Sequence, residues 1–372
     1  MQDCGYKIDE LKSFSAEILD KFIHVVEINT RDPLVSVRIT ASWALANICD
    51  SLRHCIDEFP LKKYTGSNTN PQLVASLTEC ALRLTEDGDK IKSNAVRALG
   101  NLSRFVKYTN SSGSSGVHDK PMGYLDSSSN NIEMLSERSS LQHAPNYRHP
   151  TSLGDSHLLE RMVQTFLSCV TTGNVKVQWN VCHALSNLFL NETLRVQDMD
   201  WAPSVFSVLL LLLRDSSNFK IRIQAAAALA VPASAFDYGN SFSDVVQGLE
   251  HILENLGSDQ ISAPSNFKYR VALEKQVTAT MLHVLGLASS TDHHPLKDFL
   301  VKKAPFLEEW FKGLCSSSLG ETSSQSEAGS SIGDQKKLMI SKAIQSLIQV
   351  YEIRNHQPIV QKFKKLSNSI QL

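Results

Sequence analysis

The chain has 372 residues, 42% hydrophobic and 20% charged, with 37 Lys and Arg against 38 Asp and Glu. This length exceeds one ordinary compact domain and suits two domains or one extended array. A formal charge of −1 supplies no global field to draw the chain to nucleic acid or an anionic membrane.

The N-terminal residues Met1–Ser13 contain no signal-peptide core. The most apolar run, Val205–Leu213, is about half a membrane span, so neither secretion nor membrane insertion is expected. Cys4, Cys49, Cys55, Cys80, Cys169, Cys182 and Cys315 form no C-x-x-C pair and no zinc-spaced cluster. Free thiols inside apolar helical patterns behave as small hydrophobes, and a reducing intracellular compartment, cytoplasmic or nuclear, is expected.

In chain order, the first predicted helix spans Leu11–Ile28 and carries Leu11, Phe14, Ile18, Leu19, Phe22 and Ile23 on its apolar side. A second, VRITASWALANI from Val37, follows. The next opens at Asn70-Pro71, a cap and a first-turn proline, and leads into IKSNAVRALGNL from Ile91. Thr109–Ser156 is rich in Ser, Asn, Gly and His and lacks helical periodicity. After Asp155-Ser156 come LLERMVQTFLSCV and then VQWNVCHALSNL from Val177. Pro203–Arg214 is apolar almost all round, as a helix covered by neighbours would be, and IRIQAAAALAVP follows from Ile221. A fifth pair is predicted over Asp244–Leu256 and Glu274–Ala288, and a sixth over Leu307–Leu314 and Lys337–Tyr351. Ser316–Lys336 separates the last two as a second low-complexity stretch.

Four of these segments share one register. Each opens on a β-branched residue (Val37, Ile91, Val177, Ile221). Small apolar residues follow at offset four (Ala41, Ala95, Val181, Ala225) and seven (Ala44, Ala98, Ala184, Ala228), and leucine at eight (Leu45, Leu99, Leu185, Leu229). These offsets lie on one helical face. Asn stands at offset ten in the first three (Asn47, Asn101, Asn187), and Val231 in the fourth. With the polar insert removed, the period is roughly 40–47 residues, that of helical-pair arrays. The alanines admit close approach, and each buried leucine contributes about 1.5–3 kcal/mol. One pair cannot cover its own apolar face, so neighbouring pairs must.

The segments VRITASWALANI, VRALGNLSRF and VQWNVCHALSNLF resemble HEAT and armadillo repeats. The resemblance implies an all-α fold, a right-handed α-α superhelix of about five to six helical pairs, used for protein–protein contact and without catalytic residues. The expected organisation is 1–108 first helical repeats, 109–156 disordered insert, 157–315 central repeats, 316–336 low-complexity loop and 337–372 C-terminal helices. The first helix is apolar from its start with no polar capping repeat ahead of it, so the chain is expected to be a fragment or short form of a longer protein.

In armadillo repeats that bind extended peptides, asparagines near the end of the last helix line a concave groove, where an amide offers both donor and acceptor. Asn47, Asn101 and Asn187 match that motif position, with Trp43, Arg97 and His183 four residues earlier on the same face. The pair Trp43–Asn47 resembles those of importin-alpha-type adaptors; Trp179, at offset two, does not match. These six residues are the candidate partner-binding face, for a non-enzymatic scaffold or for a transport adaptor reading an extended peptide. The alternative is that the asparagines bridge neighbouring repeats. At offset one, Arg38, Lys92, Gln178 and Arg222 have Asp32, Asp87 and Asp215 available as structural partners. His293-His294 and His183-Cys182 offer no metal-ligand spacing. No G-x-S-x-G elbow, phosphate-binding glycine loop or H-E-x-x-H occurs. No cofactor, metal or nucleic-acid partner is therefore expected. The sequon Asn191-Glu192-Thr193 is taken as a chance match.

Overall fold

The computed structural model describes residues 21–58, 69–106, 155–256, 267–290, 293–320 and 327–370. Within them the protein is all-α, and no strand occurs among the described residues. The helices are α1 (21–29), α2 (Val35–Glu58), α3 (Thr69–Leu84), α4 (Asp89–Leu102), α5 (Asp155–Thr172), α6 (Val175–Phe189) and α7 (Ala202–Asp215). They continue as α8 (Phe219–Leu229), α9 (Phe242–Asn255), α10 (Phe267–Leu285), α11 (His294–Lys302), α12 (Ala304–Gly320), α13 (Glu327–Ile353) and α14 (Gln357–Ile370).

Their ends follow from local chemistry. Asn174 caps α6 by accepting from the Lys176 and Val177 amides, and Asn218 caps α8 by accepting from the Lys220 amide. A first-turn proline starts α7 and α11. Between α8 and α9, Ser234 and Asp237 form a capping box at the start of a short 3-10 segment. Asn355, at φ +56°, ends α13 and lets the chain turn into α14.

The helices pack in two rows. One row is α2, α4, α6, α8, α10 and α13, each touching the next; α3, α5, α7, α9 and α11 form the other. Consecutive helices α3/α4, α5/α6, α7/α8 and α9/α10 pack as pairs. The leucines at offset eight (Leu45, Leu99, Leu185 and Leu229) are all fully buried in this shared core. Ala95, Ala98, Ala184, Ala225 and Ala228 are buried with them, at the crossings of α4, α6 and α8. Val37 and Ala44 of α2 are only half-buried, because α2 ends the row among the described residues. An aromatic chain links the middle of the core: Phe189 stacks on Phe206 at 5.2 Å, Phe206 meets Tyr238 at 5.3 Å, and Tyr238 meets Phe242 at 5.2 Å. Tyr238 also donates to Leu229 O at 2.7 Å, so its hydroxyl is satisfied despite burial.

Several boundaries differ from expectation. Helix α10 starts at Phe267, seven residues before Glu274. Its added turns carry exposed Lys268 and Tyr269, so no apolar stripe marks them. Helix α11 was not singled out in sequence, and α14 was expected only as part of the C-terminal helices over 337–372. The first buries few apolar residues, Leu296 and Leu300; the second rests on Val360, Phe363 and Leu366. The loop expected over Ser316–Lys336 is corrected at both ends: residues 316–320 complete α12 and 327–336 open α13, while 321–326 lie outside the described residues. Once Ile340, Ala343, Ile344 and Leu347 are packed, adding turns to an existing helix costs little, because nucleation is the expensive step. The expected insert is helical from Asp155, and its residues 109–154 lie outside the described residues, as do residues 11–20 of the first predicted helix.

Candidate functional site

The six candidate residues sit on three successive helices of one row: Trp43 and Asn47 on α2, Arg97 and Asn101 on α4, His183 and Asn187 on α6. The structure joins them in two separate bridges. Arg97 Nη2 donates to Asn47 Oδ1 at 3.0 Å and lies 3.6 Å from Asp50. Asn187 Nδ2 donates to Asn101 Oδ1 at 3.4 Å. Asn101 is buried, and its Nδ2 meets no hydrogen-bond partner. Thus the acceptors of Asn47 and Asn101 face other repeats of this chain. Trp43, by contrast, is 57% exposed. The indole of Trp179, which falls outside the motif position, packs edge-on against His183, with ring centroids 4.1 Å apart.

A second polar ladder, not anticipated, lies at offset three. Asn94 Nδ2 donates to Ser42 Oγ at 3.0 Å, and Asn180 Nδ2 to Ser93 O at 2.7 Å and Ser93 Oγ at 2.9 Å. Two layers further, Thr280 Oγ1 donates to Ala226 O at 2.8 Å. These bonds tie α2 to α4, α4 to α6 and α8 to α10. The sequon asparagine has a similar task. Asn191 Nδ2 is buried and donates to Ser103 O at 2.7 Å and Val106 O at 2.8 Å, so its amide is committed to the end of α4. In sequence, the sole hint was an amide or hydroxyl at a position otherwise reading as covered helix.

Three of the four offset-one residues, Arg38, Gln178 and Arg222, cap the preceding helix or turn. Arg38 Nη1 donates to Asp32 O and Pro33 O, Gln178 Nε2 to Val170 O, and Arg222 Nε to Leu213 O. Of the three aspartates, Asp87 meets the Arg38 guanidinium through its side chain, at 2.7 and 3.4 Å. That hydrogen bond holds the Asp87 carboxyl below the usual carboxylate range. Asp32 contributes its backbone carbonyl, and Asp215 is held by Arg214 at 2.7 Å. These contacts build the repeat rather than a site.

Burial pushes the Cys49 and Cys182 thiols up to about 12, so neither supplies a thiolate nucleophile near neutral pH. Among the described residues no group of three or more His, Cys, Asp or Glu could hold a metal ion. No described helix is long and apolar enough to cross a membrane.

The surface does carry exposed apolar groups at one edge of the α6 and α8 starts. Asn174, Val175, Lys176, Trp179, Asn218 and Lys220 line a cleft of about 590 Å³. Val175 is 51% exposed and Trp179 38%. Tyr269 of α10, also 38% exposed, stands beside it, with Lys220 Nζ 5.8 Å from its ring centroid.

No family model matches the chain. An uncharacterized protein of Dictyostelium discoideum is 27% identical over 356 residues, which covers 77% of this chain. The chain spans 23% of that relative's length. An engineered protein of known crystal structure is 16% identical, covers 89% of this chain with 96% of its own, and superposes with a TM-score of 0.49.

Proposed function

We propose that the chain is a non-enzymatic protein-binding scaffold of the HEAT/armadillo type, with its helical pairs following a right-handed superhelix. The recurrence of fully buried Leu45, Leu99, Leu185 and Leu229 across four successive helices supports the repeat reading. The observation that carries the function is different. Three helices of one row, α2, α6 and α10, keep large aromatic side chains exposed: Trp43, Trp179 and Tyr269. Aromatic groups that could pack but stay in water are enriched where proteins meet partners. Five free cysteines among the described residues fit a reducing compartment, cytosolic or nuclear.

The test is selection of a random peptide library on the purified full chain and on the triple variant Trp43→Ala, Trp179→Ala, Tyr269→Ala. Enrichment on the wild type, lost on the triple variant, is the expected result. No enrichment, or equal enrichment on both, would overturn the reading. The transport-adaptor alternative draws on one feature, Trp43 exposed one helical turn before Asn47. It requires a lysine-rich extended peptide to bind and to lose affinity in Trp43→Ala alone.

A further inference from the structure

The second residue of four consecutive helices in one row is lysine: Lys90 in α4, Lys176 in α6, Lys220 in α8 and Lys268 in α10. All four are exposed. None has a carboxylate within 4.0 Å among the described residues. The starts of these helices adjoin. Asn174 Nδ2, at the α6 cap, donates to Asp89 Oδ2 at the start of α4, 3.0 Å away. Lys176 and Lys220 share the cleft lined by Trp179, and Lys220 lies over Tyr269. The lysines therefore follow one edge across four helices, with Val175, Trp179 and Tyr269 exposed between them. Among the carboxylates near this edge, Asp89 is engaged by Asn174, Asp87 by Arg38 and Asp215 by Arg214.

We infer that this edge docks an extended acidic segment of a partner protein, with Asp or Glu at every third residue and a bulky apolar residue between. The inference rests on the scaffold reading and names the partner class for it. Charge complementarity sets the sign of the ligand: four ammonium groups with no counter-ion among the described residues gain from anionic side chains, and the partial positive charge at each helix start adds to them. Spacing sets the repeat. Packed helices lie about 8–10 Å apart. A polyproline II segment rises about 3.1 Å per residue and returns to the same side every third residue. One acidic side chain thus meets each lysine in turn. The apolar residue between them enters the Trp179 cleft, where contact with the indole excludes water from the neighbouring ion pairs and strengthens them.

The probe is a fluorescein-labelled peptide of repeated Glu-Pro-Leu, titrated onto the full chain by anisotropy. The controls are repeated Lys-Pro-Leu, a Glu-Pro-Leu composition with its glutamates clustered, an oligothymidylate and phosphatidylserine vesicles. Expected is binding of the regular acidic peptide that weakens about tenfold in Lys176→Glu/Lys220→Glu, and also falls with added salt and in Trp179→Ala. Lys90→Glu/Lys268→Glu should weaken it independently. Because all four lysines are exposed, circular dichroism of each variant should match the wild type. Equal or tighter binding of the lysine peptide, the clustered peptide, the oligonucleotide or the vesicles would overturn the proposal. So would acidic-peptide affinity untouched by both double variants. Library peptides that depend on the three aromatic residues but ignore the lysine variants would leave the scaffold reading standing and overturn this one.

Discussion

Gly100 shows how tightly single residues are held. A Cβ built on it would lie 2.6 Å from Ala184 Cα and 2.7 Å from Ala184 Cβ, so α4 and α6 meet there with no room for a methyl group. Glycine costs up to about 1 kcal/mol against alanine in a helix interior, and a contact with neighbouring backbone cannot be relieved by a rotamer change. We predict that Gly100→Ala destabilises by about 1–3 kcal/mol, read from urea unfolding. Gly313→Ala serves as the control, because a Cβ there meets nothing within 4 Å; it should be neutral or stabilising by up to about 1 kcal/mol. A glycine inside the A-L-G-N-L pattern is visible in the sequence, but its neighbour is not. Leu45, Leu99, Leu185 and Leu229 were the reverse case. Their shared offset placed them on a covered face before any coordinate was known, because a 3.6-residue period is a local property.

At the scale of the element, junctions depend on side-chain amides that complete the ends of helices. Asn191 donates to two carbonyls just past the C-terminus of α4, groups that no later turn of that helix can satisfy. Asn191→Ala leaves both buried carbonyls without this donor. We predict a loss of about 1–3 kcal/mol by thermal or urea unfolding. Asn191→Asp, which turns an acceptor toward the same carbonyls, should lose at least as much. Helix existence was legible wherever the apolar stripe was long, as in α4, α6 and α7. The early start of α10 and the short α11 were not, because their exposed or sparse faces give no period to read. The same limit explains the error at 316–320 and 327–336, where helix follows from continuation of a packed segment and not from local composition.

Across the whole molecule, two rows of helices share one continuous core, and each layer rests on the next. A charge placed in the middle of it cannot be moved to solvent by a local adjustment. We predict that Leu185→Asp costs more than about 4 kcal/mol and lowers helicity and melting temperature together, measured by circular dichroism during heating. Unchanged melting would show that the layers do not depend on one another. As for the candidate face, the sequence singled out Trp43, Asn47, Arg97, Asn101, His183 and Asn187 by position in the repeat. The structure spends much of that polar set on the chain itself, through Arg97–Asn47 and Asn187–Asn101. The lysine edge and the Trp179 cleft belong to no single repeat. The amino-acid sequence alone determined the helical class, the register of the repeat and the buried leucines, since these follow from periodicity within about twelve residues of chain. Which amides bridge layers, how closely Gly100 approaches Ala184, and which lysines share an edge were decided only by the tertiary structure. Those are distances between residues roughly 40–90 positions apart, set by how one helix crosses another.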